Sequence, residues 1–175
     1  SPQQVLTMNT ASFLTDVPWH GSLFCNGRWQ SAQGGNRDVI EPATGNKLGQ
    51  CGIASADDMR TAIGAAQVAQ RAWAATPPRE RAAVLLRAAE QLQQHFDELA
   101  LAIARETGGI VPKGQHEVKE AVLLCQIAAG LPLRAQGEVL PSTPGRLSLA
   151  KRVPHGVVGV ISPFNFPLIL GIRSV

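Results

Sequence analysis

One stretch limits the possible folds of this chain more than any other: Pro154-His-Gly-Val-Val-Gly-Val-Ile-Ser-Pro-Phe-Asn-Phe-Pro-Leu-Ile-Leu, residues 154–170. Its apolar, β-branched run Val157–Ile161 has the composition of a strand buried on both faces, as in a parallel sheet. Ser162-Pro163 breaks that strand, and Pro167 supplies a fixed φ suited to the first turn of a helix. Asn165 therefore falls at a strand-to-helix turn, at the carboxyl end of a sheet strand, where open α/β sheets bind ligands. An α/β fold is expected, with the sequence reaching Val175 only a few residues into that helix.

A chain of 175 residues, 45% hydrophobic and 17% charged, can form a domain with a real core. Its net charge of +3 comes from scattered Lys and Arg, without the basic block of a nucleic-acid face. No run approaches the roughly 18 apolar residues of a membrane span, and the first residues lack the charged and apolar regions of a signal peptide. A cytoplasmic protein is expected, with neither nucleic acid nor membrane as partner. Cys25, Cys51 and Cys125 are odd in number and widely spaced, and His20, His95, His116 and His155 are equally dispersed. That pattern predicts no disulfide framework and no metal site.

Residues 1–20 show no sustained period and read as an extension. Leu23 to Trp29 reads as a strand, an Asn-Gly turn and the start of a returning strand. Val39 to Gly45 continues the ribbon to a turn, and Lys47 to Ile53 forms another strand. From Ser55 the period becomes helical. Ser55 is a good N-cap with Asp58 three residues on, and Met59, Ala62, Ile63, Ala66, Ala69 and Trp73 form one apolar face. Thr76-Pro77-Pro78 separates this helix from a second, with Leu85, Ala89, Leu92, Phe96, Leu99 and Ile103 on one face and Gly108-Gly109 as its stop. A third helix, about 116–135, carries Val118, Val122, Cys125, Ala129 and Leu133 on one stripe. Cys125 thus reads as a core residue, and none of the three thiols is expected to be catalytic. Residues 137–153 form a hairpin about Thr143-Pro144-Gly145, with alternating Leu147 and Leu149 against exposed Ser148 and Lys151. A lone two-stranded ribbon is marginal in water, so it packs either on another subunit or over its own domain.

Neither Gly-x-Gly-x-x-Gly nor the Walker phosphate loop occurs. The residues alone lead to a concave site near Asn165, whose amide is either an oxyanion donor or only a cap for the turn.

The run Val157-Val-Gly-Val-Ile-Ser-Pro-Phe-Asn-Phe-Pro-Leu strongly resembles the motif that begins the nucleotide-binding sheet of the NAD(P)-dependent aldehyde dehydrogenases. From about Leu23 the similarity continues through Glu41-Pro-Ala-Thr-Gly-Asn, Arg71-Ala-Trp73, Arg79-Glu-Arg81 and Glu106-Thr-Gly-Gly, in family order. Val153-Pro-x-Gly-Val-Val-Gly-Val and the Pro144-Gly145-Arg146 turn look most like the benzaldehyde dehydrogenases of aromatic catabolism. The fold so implied is the N-terminal part of a Rossmann-like nucleotide-binding domain, with an N-terminal β ribbon, three helices and a protruding β-hairpin. Residues 21–136 and 154–175 would belong to that incomplete domain, and 137–153 would be an oligomerisation hairpin of a homodimer or homotetramer.

The resemblance also implies a chemistry: oxidation of an aldehyde to the acid with NAD or NADP, through a cysteine thiohemiacetal and thioester. It makes Asn165 the oxyanion donor and places Ile161, Ser162, Pro163 and Phe164 along the dinucleotide. Phe164 stands where many relatives carry Trp. Phe166, Ile169, Leu170 and Arg173, at i, i+3, i+4 and i+7, would share the helix face that lines the aldehyde tunnel. Arg173 stands where many relatives carry an aromatic residue, and would either meet the substrate ring or its substituent or form a surface salt bridge. The nucleophilic cysteine, the base glutamate and the ribose-binding lysine of the family come after the equivalent of Val175. The stretch is therefore expected to be inactive alone. A semialdehyde or aliphatic aldehyde dehydrogenase and a non-catalytic assembly module are the competing expectations.

Overall fold

The structure, a computed structural model, describes residues 19–175. The expected extension, apart from Trp19 and His20, lies outside the described residues. The chain divides into two compact units, the first ending at Ala62 and the second running from Ile63 to Val175.

The first unit is built from two antiparallel pairs, β1 (Ser22–Cys25) with β2 (Arg28–Ser31) and β3 (Asn36–Ile40) with β4 (Lys47–Gly52). The tight turn between β1 and β2 needs two residues with positive φ, and Asn26 and Gly27 supply them at 51° and 75°. Trp29 on β2 packs at a tilt against both Trp19 and Phe24, with ring centroids 5.8 and 5.1 Å away. The expected ribbon is thus present. Helix α1 (Ala56–Ala75) begins in this unit on a reciprocal cap. Asp58 donates its N–H to Ser55 Oγ (3.1 Å) and accepts the Ser55 N–H on Oδ2 (2.8 Å). The same Oδ2 accepts the Gln33 N–H at 3.0 Å, so one buried carboxylate ties the helix start to the loop after β2. The expected apolar face of α1 is mostly exposed, at Met59, Ile63 and Trp73 among others. Helical spacing fixes which residues share a face, not whether a neighbour covers it.

In the second unit the helix expected from Pro78 to Gly108 is two: α2 (Pro78–Gln94) and α3 (Phe96–Thr107), divided at His95. His95 has φ −101° and ψ 23°, off the helical values, while its N–H still reaches the Gln91 carbonyl (3.1 Å) and its carbonyl still takes the Leu99 N–H (2.9 Å). The apolar spacing therefore runs through the break unaltered. Helix α4 (Val111–Ala129) starts five residues before the expected 116, because Pro112 suits a first turn, and stops before Leu131–Leu133, a short 3-10 turn containing Pro132. Four long helices thus replace the three expected. Helix α4 packs on α2, α3 and the short α5 (Pro167–Ile172). The core holds Ala100, Ile103 and Val118, with Phe96, Leu99 and Leu168 packed against it. Cys125 is buried among these helices, as its stripe predicts.

The hairpin β5 (Gly137–Leu140) with β6 (Ser148–Lys151) forms as expected, from Gly137 opposite Lys151 to Leu140 opposite Ser148. Lys151 is exposed as expected, but Leu147 and Leu149 are exposed as well and Ser148 is half-buried. The expected strand Val157–Ile161 is not formed. These residues are irregular and exposed, and among the described residues no strand pairs with them. Extended conformation alone leaves backbone N–H and C=O groups unpaired, so an apolar β-branched run becomes a strand only beside another.

Candidate active site

The turn expected to carry function is Phe164-Asn165, leading into α5. Ile161 and Phe164 are 94% and 85% exposed, and Ser162, Pro163 and Asn165 are exposed beside them. Two side-chain hydrogen bonds fix this segment. Ser162 Oγ donates to the Pro167 carbonyl at 2.5 Å, closing the turn around Asn165. The second contact comes from α4, 51 residues away in sequence, where Glu117 Oε2 accepts the Leu168 N–H at 3.0 Å.

Helix α5 needs this outside help. Its first turn offers backbone N–H groups that have no partner within the helix. Pro167 carries no N–H, and the capping residue, Phe166, makes no side-chain cap bond. Glu117 takes the place of the missing cap. Its side chain is fully buried, and its other oxygen, Oε1, meets Lys113 Nζ at 2.6 Å. Burying a carboxylate is tolerable only when it is paired and hydrogen-bonded, and removing one partner of such a pair costs about 3–5 kcal/mol. Lys113 Nζ also lies 4.6 Å from the centroid of the Phe166 ring. A single charge pair on α4 thus holds the residues on both sides of Pro167.

The four residues expected to line one helix face meet different surroundings at its two ends. Phe166 lies beside Lys113 near the start of α4, whereas Arg173 follows the last residue of α5, its N–H bonded to the Ile169 carbonyl at 2.9 Å. A cavity of about 530 Å³ opens at that second end, lined by Trp73, Arg81, Leu85, Leu124, Ile127 and Arg173 among others. Phe166, Ile169 and Leu170 are not among its walls. Phe166, Ile169 and Leu170 are half-buried, and Arg173 is exposed.

No motif in the sequence singles out Glu117 or Lys113. The signal was present in the spacing: Gly114, Glu117, Val118, Ala121 and Cys125 form the buried stripe of α4, and a carboxylate in an apolar stripe requires a partner. Among the described residues no cluster of His, Cys, Asp or Glu could hold a metal ion, and no helix is long and apolar enough to cross a membrane.

Comparison with known proteins identifies the family and the fold. Residues 29–175 match the model of the aldehyde dehydrogenase family. The chain is 55% identical to a vanillin dehydrogenase of Amycolatopsis over 94% of its own length and 34% of the relative's. It is 46% identical to an NAD(+) benzaldehyde dehydrogenase of Pseudomonas putida, over 90% of the chain and 32% of the relative. The crystal structure of an NAD-dependent benzaldehyde dehydrogenase from Corynebacterium glutamicum superposes with a TM-score of 0.84 at 36% identity, covering 93% of this chain and 35% of that one. The chain therefore spans about a third of the length of the relatives it matches, and its α/β architecture is the corresponding part of their fold. This chain belongs to the aldehyde dehydrogenase family.

Proposed function

We propose that the full-length protein oxidises an aromatic aldehyde of the benzaldehyde or vanillin type to its carboxylic acid, with NAD as the hydride acceptor. The observation that carries this reading at the site is the division of labour between Glu117 and Asn165. Glu117 caps α5 through the Leu168 N–H, and the exposed Asn165 amide is not used as that cap. That amide is chemically competent to donate to the oxyanion formed when a nucleophile adds to the aldehyde carbonyl.

In this reading Ile161, Ser162, Pro163 and Phe164 hold the dinucleotide, which when bound accepts the hydride. Phe166, Ile169 and Leu170 supply apolar wall, and Arg173 meets the ring or a polar substituent of the substrate at the far end of α5. None of Cys25, Cys51 and Cys125 serves as the nucleophile. Cys25 and Cys125 are buried, and burial raises the Cys125 thiol above its ordinary value, which disfavours the thiolate that attack requires. The nucleophilic cysteine and the glutamate base then belong to the remainder of the full-length enzyme, and residues 1–175 alone do not oxidise aldehydes. The exposed Val139, Leu147 and Leu149 of the hairpin suit it to join subunits of a homo-oligomer.

The test is NADH formation by the full-length protein with benzaldehyde, vanillin, an aliphatic aldehyde and a dicarboxylic semialdehyde, each with NAD and with NADP. The aromatic aldehydes with NAD should give the highest kcat/KM. A preference for the semialdehyde or the aliphatic aldehyde would overturn the substrate assignment.

A further inference from the structure

We propose that Glu117 and Lys113 are positioning residues for catalysis, setting the place of the Asn165 amide through Leu168 and Phe166. The inference rests on the assignment of Asn165 as oxyanion donor and adds to it the device that aims the donor.

The geometry is specific. The turn carrying Asn165 has a short helix on one side and an exposed irregular segment on the other. An exposed segment of that kind can shift, and a donor aimed at a developing oxyanion loses its effect if it moves by about 1 Å. Three contacts oppose that shift. Glu117 Oε2 holds the Leu168 N–H at 3.0 Å, three residues after Asn165. Lys113 Nζ lies against the ring of Phe166, the next residue after Asn165, at 4.6 Å from its centroid. Ser162 Oγ holds the Pro167 carbonyl from the other side. The first two contacts originate one helical turn apart on α4 and are joined by the 2.6 Å ion pair. Helix α4 is itself fixed against α2 and α3. Core packing is thus transmitted to the turn through two side chains, and neither of them needs to touch the substrate.

A core residue that matters only for stability and a residue that acts through Asn165 give different double-mutant cycles. The cycle is run in the full-length enzyme with Lys113→Met and, separately, Glu117→Leu, each alone and combined with Asn165→Ala, reading kcat and the KM for NAD. In the Asn165 background each substitution should lower kcat on the order of tenfold with the KM for NAD little changed. In the Asn165→Ala background the same substitution should lower kcat less than about twofold, because the group being aimed is gone. Glu117→Gln, which keeps an oxygen for the Leu168 N–H, should recover a part of the kcat that Glu117→Leu loses. Equal losses in both backgrounds would overturn the positioning role and leave Asn165 as donor intact. If Asn165→Ala alone leaves kcat unchanged, the donor assignment fails first and this inference with it. Should Glu117→Leu not fold, the partly exposed Lys113 carries the same cycle, and additivity there is equally fatal.

Discussion

Gly114 on α4 lies directly against the backbone carbonyl of Ala100 on α3: a Cβ built at Gly114 would overlap the Ala100 oxygen. The two helices approach closely only because that side chain is absent, and the approach places Val118, the next turn along, in the core beside Ala100 and Ile103. The same helix carries Lys113 and Glu117, so the spacing of α3 and α4 also sets where the Asn165 turn is held.

Gly114→Ala should therefore destabilise the protein by about 1–3 kcal/mol, since the obstacle is rigid backbone rather than a mobile side chain. Gly64, inside α1, is the control. A Cβ there meets nothing within 4 Å, so Gly64→Ala should stabilise by about 0.5–1 kcal/mol through helix propensity and a less flexible unfolded chain. Denaturant midpoints of the two variants, moving in opposite directions, check the pair.

Asp58 gives a pH dependence with a definite sign. The Ser55 backbone N–H, with a further contribution from that of Gln33, holds its carboxyl below the ordinary value of 3.8 despite the opposing effect of burial. A group whose folded pKa is depressed contributes stability that is fully present above its unfolded pKa and lost as pH falls through the folded value. The gap in Tm between the protein and its Asp58→Asn variant should be open at pH 7 and close as pH drops below 3.8. A gap independent of pH would mean that the charge on Asp58 adds nothing to the cap.

The thiols should label in order of access. Cys51 is exposed, whereas Cys25 and Cys125 are buried. Iodoacetamide followed by peptide mass spectrometry should modify Cys51 first, and the other two only on unfolding. Hyperreactive labelling of any of the three at neutral pH would contradict their exclusion from catalysis.

Arg173 should affect substrate choice more than turnover in general. Replacing it with Leu in the full-length enzyme should change the ratio of kcat/KM for vanillin over unsubstituted benzaldehyde, because a guanidinium distinguishes polar ring substituents. An unaltered ratio would assign Arg173 to the surface.

Much of this was legible in the sequence because it is local. Asn26-Gly27 specifies its turn by backbone conformation, Ser55 and Asp58 specify their cap by spacing, and Pro144-Gly145 marks the hairpin tip. What escaped depends on neighbours. The run 157–161 has strand composition without a strand to pair with among the described residues, His95 deviates from helical geometry while the i−4 hydrogen bonds persist, and α1 has an apolar face left exposed. At the site, the turn at Asn165 and the helix start at Pro167 were legible from the local prolines, whereas the Glu117–Leu168 contact spans 51 residues and follows from no local pattern. Arg173 and Phe166 do share helical spacing, yet α5 is so short that its two ends meet different surroundings.

The most direct measurement is kcat for a benzaldehyde-type substrate in the full-length enzyme before and after Asn165→Ala, with the KM for NAD followed in parallel. Loss of an oxyanion donor predicts a fall in kcat on the order of 10²–10³ with the KM for NAD nearly unchanged. A variant that oxidises the aldehyde at the original rate would contradict the account at its centre.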